Sequence, residues 1–336
     1  MAHSATIHPQ VQAALRRLDD LAKRKPELAD AVAFYRAVIP ALHDAQQTIP
    51  AFVLDPTLAQ RKLASGRPLL IDEDLPLDLE ATARFFSHLC RIVENIHSGA
   101  TGTPQRSRWS LFKPSKPASP APGEQVATNA AAPSYAGVAS SVAAARQIRR
   151  ATERKQLDLV DVWAAVATAD ERRLDSLAVE LQLEAGLLRV LAENSLRPAL
   201  RAWAQALNGT VDLSHWRRGR CPLCGNNPVL SEIQGKEGQR RLRCTRCGAG
   251  WYYPRLQCAF CGRKGHKTLG YVAVEGEEEK YRLQTCEVCK GYLKVVVTFD
   301  PIPLALLPVE DLATLHLDEI AVEQGYTPAL APQTNP

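Results

Sequence analysis

The sequence predicts an α+β protein, with an N-terminal all-helical domain followed by two tandem modules built on four cysteines each. Two observations carry this. Apolar residues recur at helical spacing through most of the first two hundred positions, and eight of the nine cysteines fall beyond position 220 in four Cys-x-x-Cys pairs. At 336 residues, 46% hydrophobic and 23% charged, the chain can bury a core of its own without help from metal, so any metal site acts locally.

Residues 7–97 read as helices joined by proline-containing connections. Val11, Leu15, Leu18 and Leu21 share one helical face; Leu28, Val32, Tyr35, Val38 and Leu42 share another behind Pro26, which suits a first turn where no N–H is needed. A third helix is expected from about Asp78 to His97, with Leu79, Phe86, Leu89, Cys90, Val93 and Ile96 on its apolar face. From Thr101 to Ser140, six prolines stand among Ser, Ala and Gly, so this stretch can neither propagate a helix nor present a continuous apolar face. Helical spacing returns from Val142 to Leu207, and Asn208-Gly209 is expected to close the last helix as a left-handed cap. These helices are expected to pack onto the first three.

The predicted organisation is therefore an N-terminal helical region at 1–100, a Pro/Ser/Ala-rich linker or insertion at 101–140, and a second helical region at 141–214. A first four-cysteine module at 215–257 and a second at 258–300 follow, then a C-terminal strand, helix and tail at 301–336.

The cysteine pairs are Cys221 and Cys224, Cys244 and Cys247, Cys258 and Cys261, and Cys286 and Cys289. Two residues between ligands let a tight turn aim both sulfurs at one ion. Gly225, Gly248 and Gly262 permit the positive φ that such a knuckle needs, as in rubredoxin-like and zinc-ribbon modules. Of the three ways to combine four pairs into two sites, sequential pairing is favoured, because each interval then reads as a hairpin that returns its ends to one place. The first runs Val229–Ile233, a turn through Gly235 to Gly238, and Arg240–Arg243; the second runs Leu269–Val274, a turn through Glu275, Gly276 and Glu277, and Lys280–Thr285. Nested pairing would ask the ten residues GAGWYYPRLQ to close a loop with no hairpin to do it.

Reduced thiols buried in a β-rich domain are the alternative reading. Free cysteines are usually buried and apolar, whereas these sit beside Arg, Lys and Gly in turn sequences, so metal binding is expected. Four sulfurs suit iron or zinc, and a closed shell leaves no position for water or substrate, which argues against metal-assisted hydrolysis. His266 lies four residues beyond Cys261, but Tyr271 stands where a zinc knuckle would need its last ligand, so His266 reads as a loop residue; Cys90 reads as a core thiol.

Charge is uneven. Residues 215–300 carry sixteen Lys and Arg against eight Asp and Glu, and residues 301–336 carry five acids and no base. Each filled site would have a charge of about −2, so two would cancel about half of the module's excess. The N-terminal MAHSATIHPQ has neither an export signal's apolar run nor a twin arginine, and the apolar stretch Leu293–Val309 is broken by Asp300, Pro301, Pro303 and Pro308. The expectation is a cytoplasmic protein without membrane insertion, whose paired cysteines are ligands and not disulfides.

The runs WRRGRCPLCGNNP, LRCTRCGAGWYYPRLQCAFCG, LQTCEVCKGYLKVVV and VEDLATLHLDEIAVEQGY resemble the C-terminal half of the formate dehydrogenase accessory proteins of the FdhE family, over roughly 215–326. PELADAVAFYRAVIPALHDAQQ, SGRPLL and LRPALRAW resemble its helical region more weakly, while the 101–140 stretch is longer than the family needs and TPALAPQTNP departs from its usual ending. The resemblance implies a cytoplasmic maturation factor, not an enzyme, that binds the molybdenum-containing catalytic subunit of a respiratory formate dehydrogenase before export. It also implies two metal ions, iron with zinc as the alternative, on Cys221, Cys224, Cys244, Cys247, Cys258, Cys261, Cys286 and Cys289. No phosphate loop, dinucleotide fingerprint or nucleophile elbow points elsewhere. A rubredoxin-like electron carrier and a nucleic-acid-binding zinc-ribbon protein are the alternatives, the latter disfavoured because metal loading halves the basic charge and an acidic tail adjoins it.

Three expectations follow. The two sites are independent; the helices stay folded without metal, since their apolar stripes do not include the paired cysteines; and a client docks on the knuckle loops through Arg246, Arg255, Arg263, Lys264, Trp251, Tyr252, Tyr253 and Phe260, or else Trp251 and Tyr253 form a private core between the modules.

Overall fold

The computed structural model describes residues 7–71, 75–96 and 138–328. The stretch read as a linker at 101–140 lies outside these residues up to 137. Among the described residues, eight helices precede the cysteines: α1 (Pro9–Arg24), α2 (Ala29–Gln47), α3 (Pro56–Ala64), α4 (Leu79–Asn95), α5 (Val138–Glu153), α6 (Leu159–Thr168), α7 (Glu171–Glu180) and α8 (Ala185–Asn208). Asp55, Asp78, Asp158 and Asp170 accept from first-turn N–H groups and cap α3, α4, α6 and α7.

The expected faces are buried: Val11, Leu18 and Leu21 on α1, Val38 and Leu42 on α2, and Phe86, Leu89, Cys90 and Val93 on α4. Leu79 departs from this and is exposed, because it opens α4 beyond the reach of the helices that cover the later turns. The expected left-handed cap after α8 does not form. Gly209 has φ −82°, and the N–H groups of Thr210 and Val211 both return to the Leu207 carbonyl, so the chain leaves through a right-handed turn that satisfies the carbonyl without positive φ.

The later helices pack on α2 and α4, where Phe34, Val38, Phe86, Leu89, Ile148, Val162, Trp163, Leu174, Leu188 and Leu191 form one core. Helix α1 lies in a separate core. Its Val11, Ala14, Leu18 and Leu21 pack with Val32 and Ile39 of α2 and with Val309, Leu312 and Ala313 of a C-terminal helix, α9 (Leu307–Ala313), which α10 (Leu315–Glu323) follows.

The cysteine half builds one sheet, not two separate hairpins. The predicted hairpins are present as β1 (Leu230–Gln234) with β2 (Gln239–Arg243), and β4 (Leu269–Val272) with β5 (Tyr281–Cys286). Two strands were not anticipated, β3 (Gly250–Tyr252) and β6 (Gly291–Thr298), while β7 (Thr327–Pro328) falls in the 301–336 stretch where a strand was expected. The order is β3-β2-β1-β6-β5-β4, with β7 added beside β6. The parallel pairing of β1 with β6, Leu230 opposite Lys294 through Gln234 opposite Thr298, fuses the two hairpins. Neither hairpin alone can bury a full apolar face; fused, they bury Leu230, Leu283, Tyr292 and Val296 beneath Ile302, Leu307, Leu317 and Ala321.

Helix α8, about 36 Å long at 1.5 Å per residue, joins the two halves. Its Leu188 and Leu191 belong to the helical core, while its Ala199, Trp203, Ala204 and Leu207 pack in a second core with Leu69, Trp216, Leu242, Trp251 and all four cysteines of the first module. The expected separation of helices from cysteines therefore holds for the first core and fails for the last turns of α8.

Two glycine substitutions test these placements. A Cβ on Gly219 would lie 1.6 Å from the backbone oxygen of Ala259, between the second module's first two cysteines, so Gly219→Ala should cost about 1–3 kcal/mol. A Cβ on Gly209 meets nothing nearer than 3.9 Å at negative φ, so Gly209→Ala should be neutral or stabilise by about 0.4–1 kcal/mol. Thermal melts of the two variants check both, and a loss of stability in Gly209→Ala would restore the left-handed cap.

Candidate metal centres

The four knuckles share one backbone device. In the first three, the N–H of the glycine after the second cysteine bonds the carbonyl of the first: Gly225 to Cys221 at 3.1 Å, Gly248 to Cys244 at 2.8 Å and Gly262 to Cys258 at 3.1 Å. These glycines have φ of +77°, +83° and +71°. The fourth knuckle has no glycine there, yet Lys290 adopts φ +53° in the same place. Sequence reasoning passed over it; the sign was the position after Cys289, which the repeat of the motif marks as left-handed whatever residue fills it.

The knuckles bring the sulfurs together in two groups: Cys221, Cys224, Cys244 and Cys247, and Cys258, Cys261, Cys286 and Cys289, each with all sulfurs within 4.8 Å of one another. Across the first group Cys221 and Cys247 lie 3.5 Å apart, as do Cys224 and Cys244. Across the second, Cys258 and Cys289, and Cys261 and Cys286, are each 3.7 Å apart. A tetrahedral ion with metal–sulfur bonds of about 2.3 Å puts its sulfurs roughly 3.8 Å apart, so each group can hold one metal ion. Disulfide bonding is absent among these residues. His266 is exposed in its loop and joins neither group, and Cys90 stays in the helical core, where burial pushes its thiol up to about 12.

The thiols are already polarised for exchange of protons against a cation. Burial pushes Cys221 well above the ordinary thiol range, while hydrogen bonds from Cys221, then Cys224 and Cys247, hold Cys244 well below it. In the second group the hydrogen bond from Cys289 lowers Cys258 to about 5, and the same contact raises Cys289. Neighbouring S–H groups thus favour ionisation of one thiol in each group, and a divalent ion would displace the protons of the others.

The surroundings of the groups differ. The first is wholly buried; in the second, Cys261 and Cys289 are half-buried. Arg246 does not face outward. It is paired with Glu193 of α8 at 3.5 Å and donates to the Val166 carbonyl of α6 at 3.4 Å, tying the knuckle to the helices. Trp251 and Tyr253 are buried. The Trp251 indole donates to the Arg218 carbonyl at 3.0 Å, and the Tyr253 hydroxyl donates to the Cys258 carbonyl at 3.0 Å. Tyr252, Arg255, Leu256, Arg263 and Lys264 remain exposed, and Phe260 is half-buried.

Comparison with known proteins matches this region. Residues 220–255 fit the family model described as FdhE, central domain, and residues 256–332 that of FdhE, C-terminal domain. Over these residues the chain is similar to the FdhE family. It is similar to the FdhE homologue of Aquifex aeolicus, 33% identical over 42% of this chain and 49% of the relative, and to that of Pseudomonas aeruginosa, 33% identical over 55% and 57%. The homologue of Stutzerimonas stutzeri is 32% identical over 51% of this chain and 63% of its own. The chain thus spans from about half to under two thirds of these relatives. The crystal structure of the FdhE protein from P. aeruginosa shares the fold, with a TM-score of 0.55 and 23% identity over 98% of this chain and 99% of that one.

Two outcomes are expected. Lys290→Gly relieves a left-handed lysine and should stabilise the fourth knuckle by up to about 1 kcal/mol, less whatever the exposed Lys290–Glu287 pair contributes; a differential melt against the parent reads the difference. Because the raised Cys221 and Cys289 thiols must lose protons, metal affinity should climb with pH between 6 and 8 by at least tenfold per unit. Competition with a chromophoric chelator measures that slope, and a flat profile would contradict thiolate ligation.

Proposed function

We propose that the chain is an accessory factor for the maturation of a respiratory formate dehydrogenase, acting in the cytoplasm and holding two metal ions on its eight paired cysteines. The observation that carries the reading is the pair of closed four-sulfur groups in a chain similar to the FdhE family. Four sulfurs leave an ion no open position for substrate, which supports a binding role over catalysis. Iron and zinc both suit the donor set.

The client in this reading is the catalytic subunit of the dehydrogenase, docked on the sheet that the knuckles hold rigid, since a rigid loop loses less entropy on binding. Trp251 and Tyr253 are buried and Arg246 is turned toward α8, which leaves a smaller candidate surface than the sequence suggested. Arg255, Leu256 and Tyr271 are exposed, and the Gln284 amide joins two of them by donating to the Arg255 carbonyl at 3.2 Å and the Tyr271 hydroxyl at 2.8 Å. Tyr252 lies under the Arg241 guanidinium, 4.8 Å from ring centre. Arg and Tyr are residues that often anchor interfaces. Among the described residues no helix is long and apolar enough to cross a membrane.

A second reading, electron transfer, is favoured by one feature: the half-buried Cys261 and Cys289 bring the second group near the surface.

Capture of the catalytic subunit by the tagged full chain tests the docking role. The parent should retain the subunit, Leu256→Asp with Tyr271→Ala should lose at least tenfold, and Cys224→Ser should weaken capture by loosening the sheet. Undiminished capture by the metal-depleted cysteine variant sinks the docking role of the metal, and a reversible iron couple in the parent would then favour electron transfer.

A further inference from the structure

Five basic side chains are buried among the described residues: Lys62, Arg201, Arg240, Arg243 and Lys294. Three are answered. Arg243 pairs with Glu232, Lys294 pairs with Asp311 and with Asp318, and the Lys62 ammonium is met by the carbonyls of Leu69 and Ile71. Arg201 and Arg240 have no carboxylate partner among the described residues. In both, the same two nitrogens, Nε and Nη2, are buried without a hydrogen-bond partner. That edge of a guanidinium is a side on which it takes an anion with two parallel bonds.

A buried cation without a counter-ion is strongly disfavoured, so two at once require a common explanation. Both stand next to cysteine groups. Burial lowers Arg201, and the groups that act on its charge after the neighbouring Arg197 are Cys247, Cys244 and Tyr35. Arg240 feels Tyr271, Tyr253 and Cys258, with Arg255 opposing; its Nη1 donates to the carbonyls of Pro254 and Gln257, at 3.1 and 3.0 Å, on the stretch leading into Cys258. Arg201 comes from α8, remote in sequence from the first group, and Arg240 comes from β2 of the first hairpin although it serves the second group.

We infer that Arg201 and Arg240 are the resident counter-ions of the two metal-filled centres, one each. Four thiolates on a divalent ion leave a charge of about −2 spread over the sulfurs. Arg201, together with the Arg246 already paired to Glu193, offsets that charge at the first centre, and Arg240 reduces it at the second. In the metal-free protein each of the two arginines keeps a guanidinium edge, Nε and Nη2, buried without a partner, so the same residue that holds the metal weakens the empty fold. They are positioning residues that do not touch the ion. This rests on the proposed metal binding.

The test uses the full chain with zinc and, separately, ferrous iron. Parent, Arg201→Met, Arg201→Lys and Arg240→Met are compared for metal affinity by chelator competition and for the thermal melt of the metal-free form. Arg201→Met should weaken one of the two metals by about 10–100-fold, the range for groups that support ligands from outside the coordination shell, and leave the other unchanged. Its metal-free melt should stay level or rise, because an unpaired buried charge is gone. Arg201→Lys should recover part of the affinity, and Arg240→Met should weaken the other metal alone. A metal-free melt that falls in Arg201→Met with affinity intact would show a purely structural arginine and overturn the inference. Failure of the parent to bind two ions would instead overturn the metal reading itself.

Discussion

Four thiol groups held within 4.8 Å of one another, in a space largely closed to water, is the constraint on which the rest of the cysteine half depends. Fully protonated, such a group wastes its polar S–H bonds; fully ionised, it repels itself in a medium that screens poorly. Only an ion at the centre lets all four lose their protons together. The backbone must therefore deliver four sulfurs to one point before the ion arrives. The left-handed residue after each second cysteine and the hairpin between pairs are the two means by which it does so.

A second consequence is that the modules lean on each other. Gly219, leading into the first group, packs so closely on Ala259 of the second that no side chain fits between them. Tyr253 from the first module reaches the Cys258 carbonyl, and β1 lies along β6. The two sites share no sulfur, and what joins them is backbone contact between the modules. The chain's ends close around this sheet. Arg17 of α1 donates to Tyr281 of β5 at 2.8 Å and pairs with Glu310 of α9 at 3.2 Å, so one buried triad joins the first helix, the sheet and the C-terminal helices.

What could be read in the sequence was local. Helical stripes, knuckle glycines and both hairpins depend on residues a few positions apart, and their patterns survive without any knowledge of the fold. What escaped was long-range pairing. Nothing in LSEIQ announces that it lies parallel to YLKVVV some sixty residues on, and Leu15 and Leu18 look the same whether α9 joins α2 against them or not. Arg246 reads as a surface anchor from its residue type, and Trp251 as either an anchor or a core residue; the ion pair of Arg246 with α8 and the burial of Trp251 in the first module's core are facts of tertiary packing. Lys290 escaped for a different reason. A glycine rule detects left-handed positions only where the low-strain residue was chosen.

The two centres differ in how deeply they are built into the molecule. The first shares a core with Trp203 and Leu207 of α8, Leu69 and Leu70, and Trp216, so moving any of its sulfurs moves helix, loop and sheet together. The second is packed by little more than Leu269 and Phe260, and two of its sulfurs approach solvent. Low local packing density lets a segment open without unfolding the whole. An ion in the first centre is thus bound to the stability of the helical half, whereas one in the second can be released by opening the knuckles of Cys258 and Cys289 alone. The exposed Arg255, Leu256 and Tyr271 lie beside the more loosely packed centre, so a partner seated there would act on the second ion first.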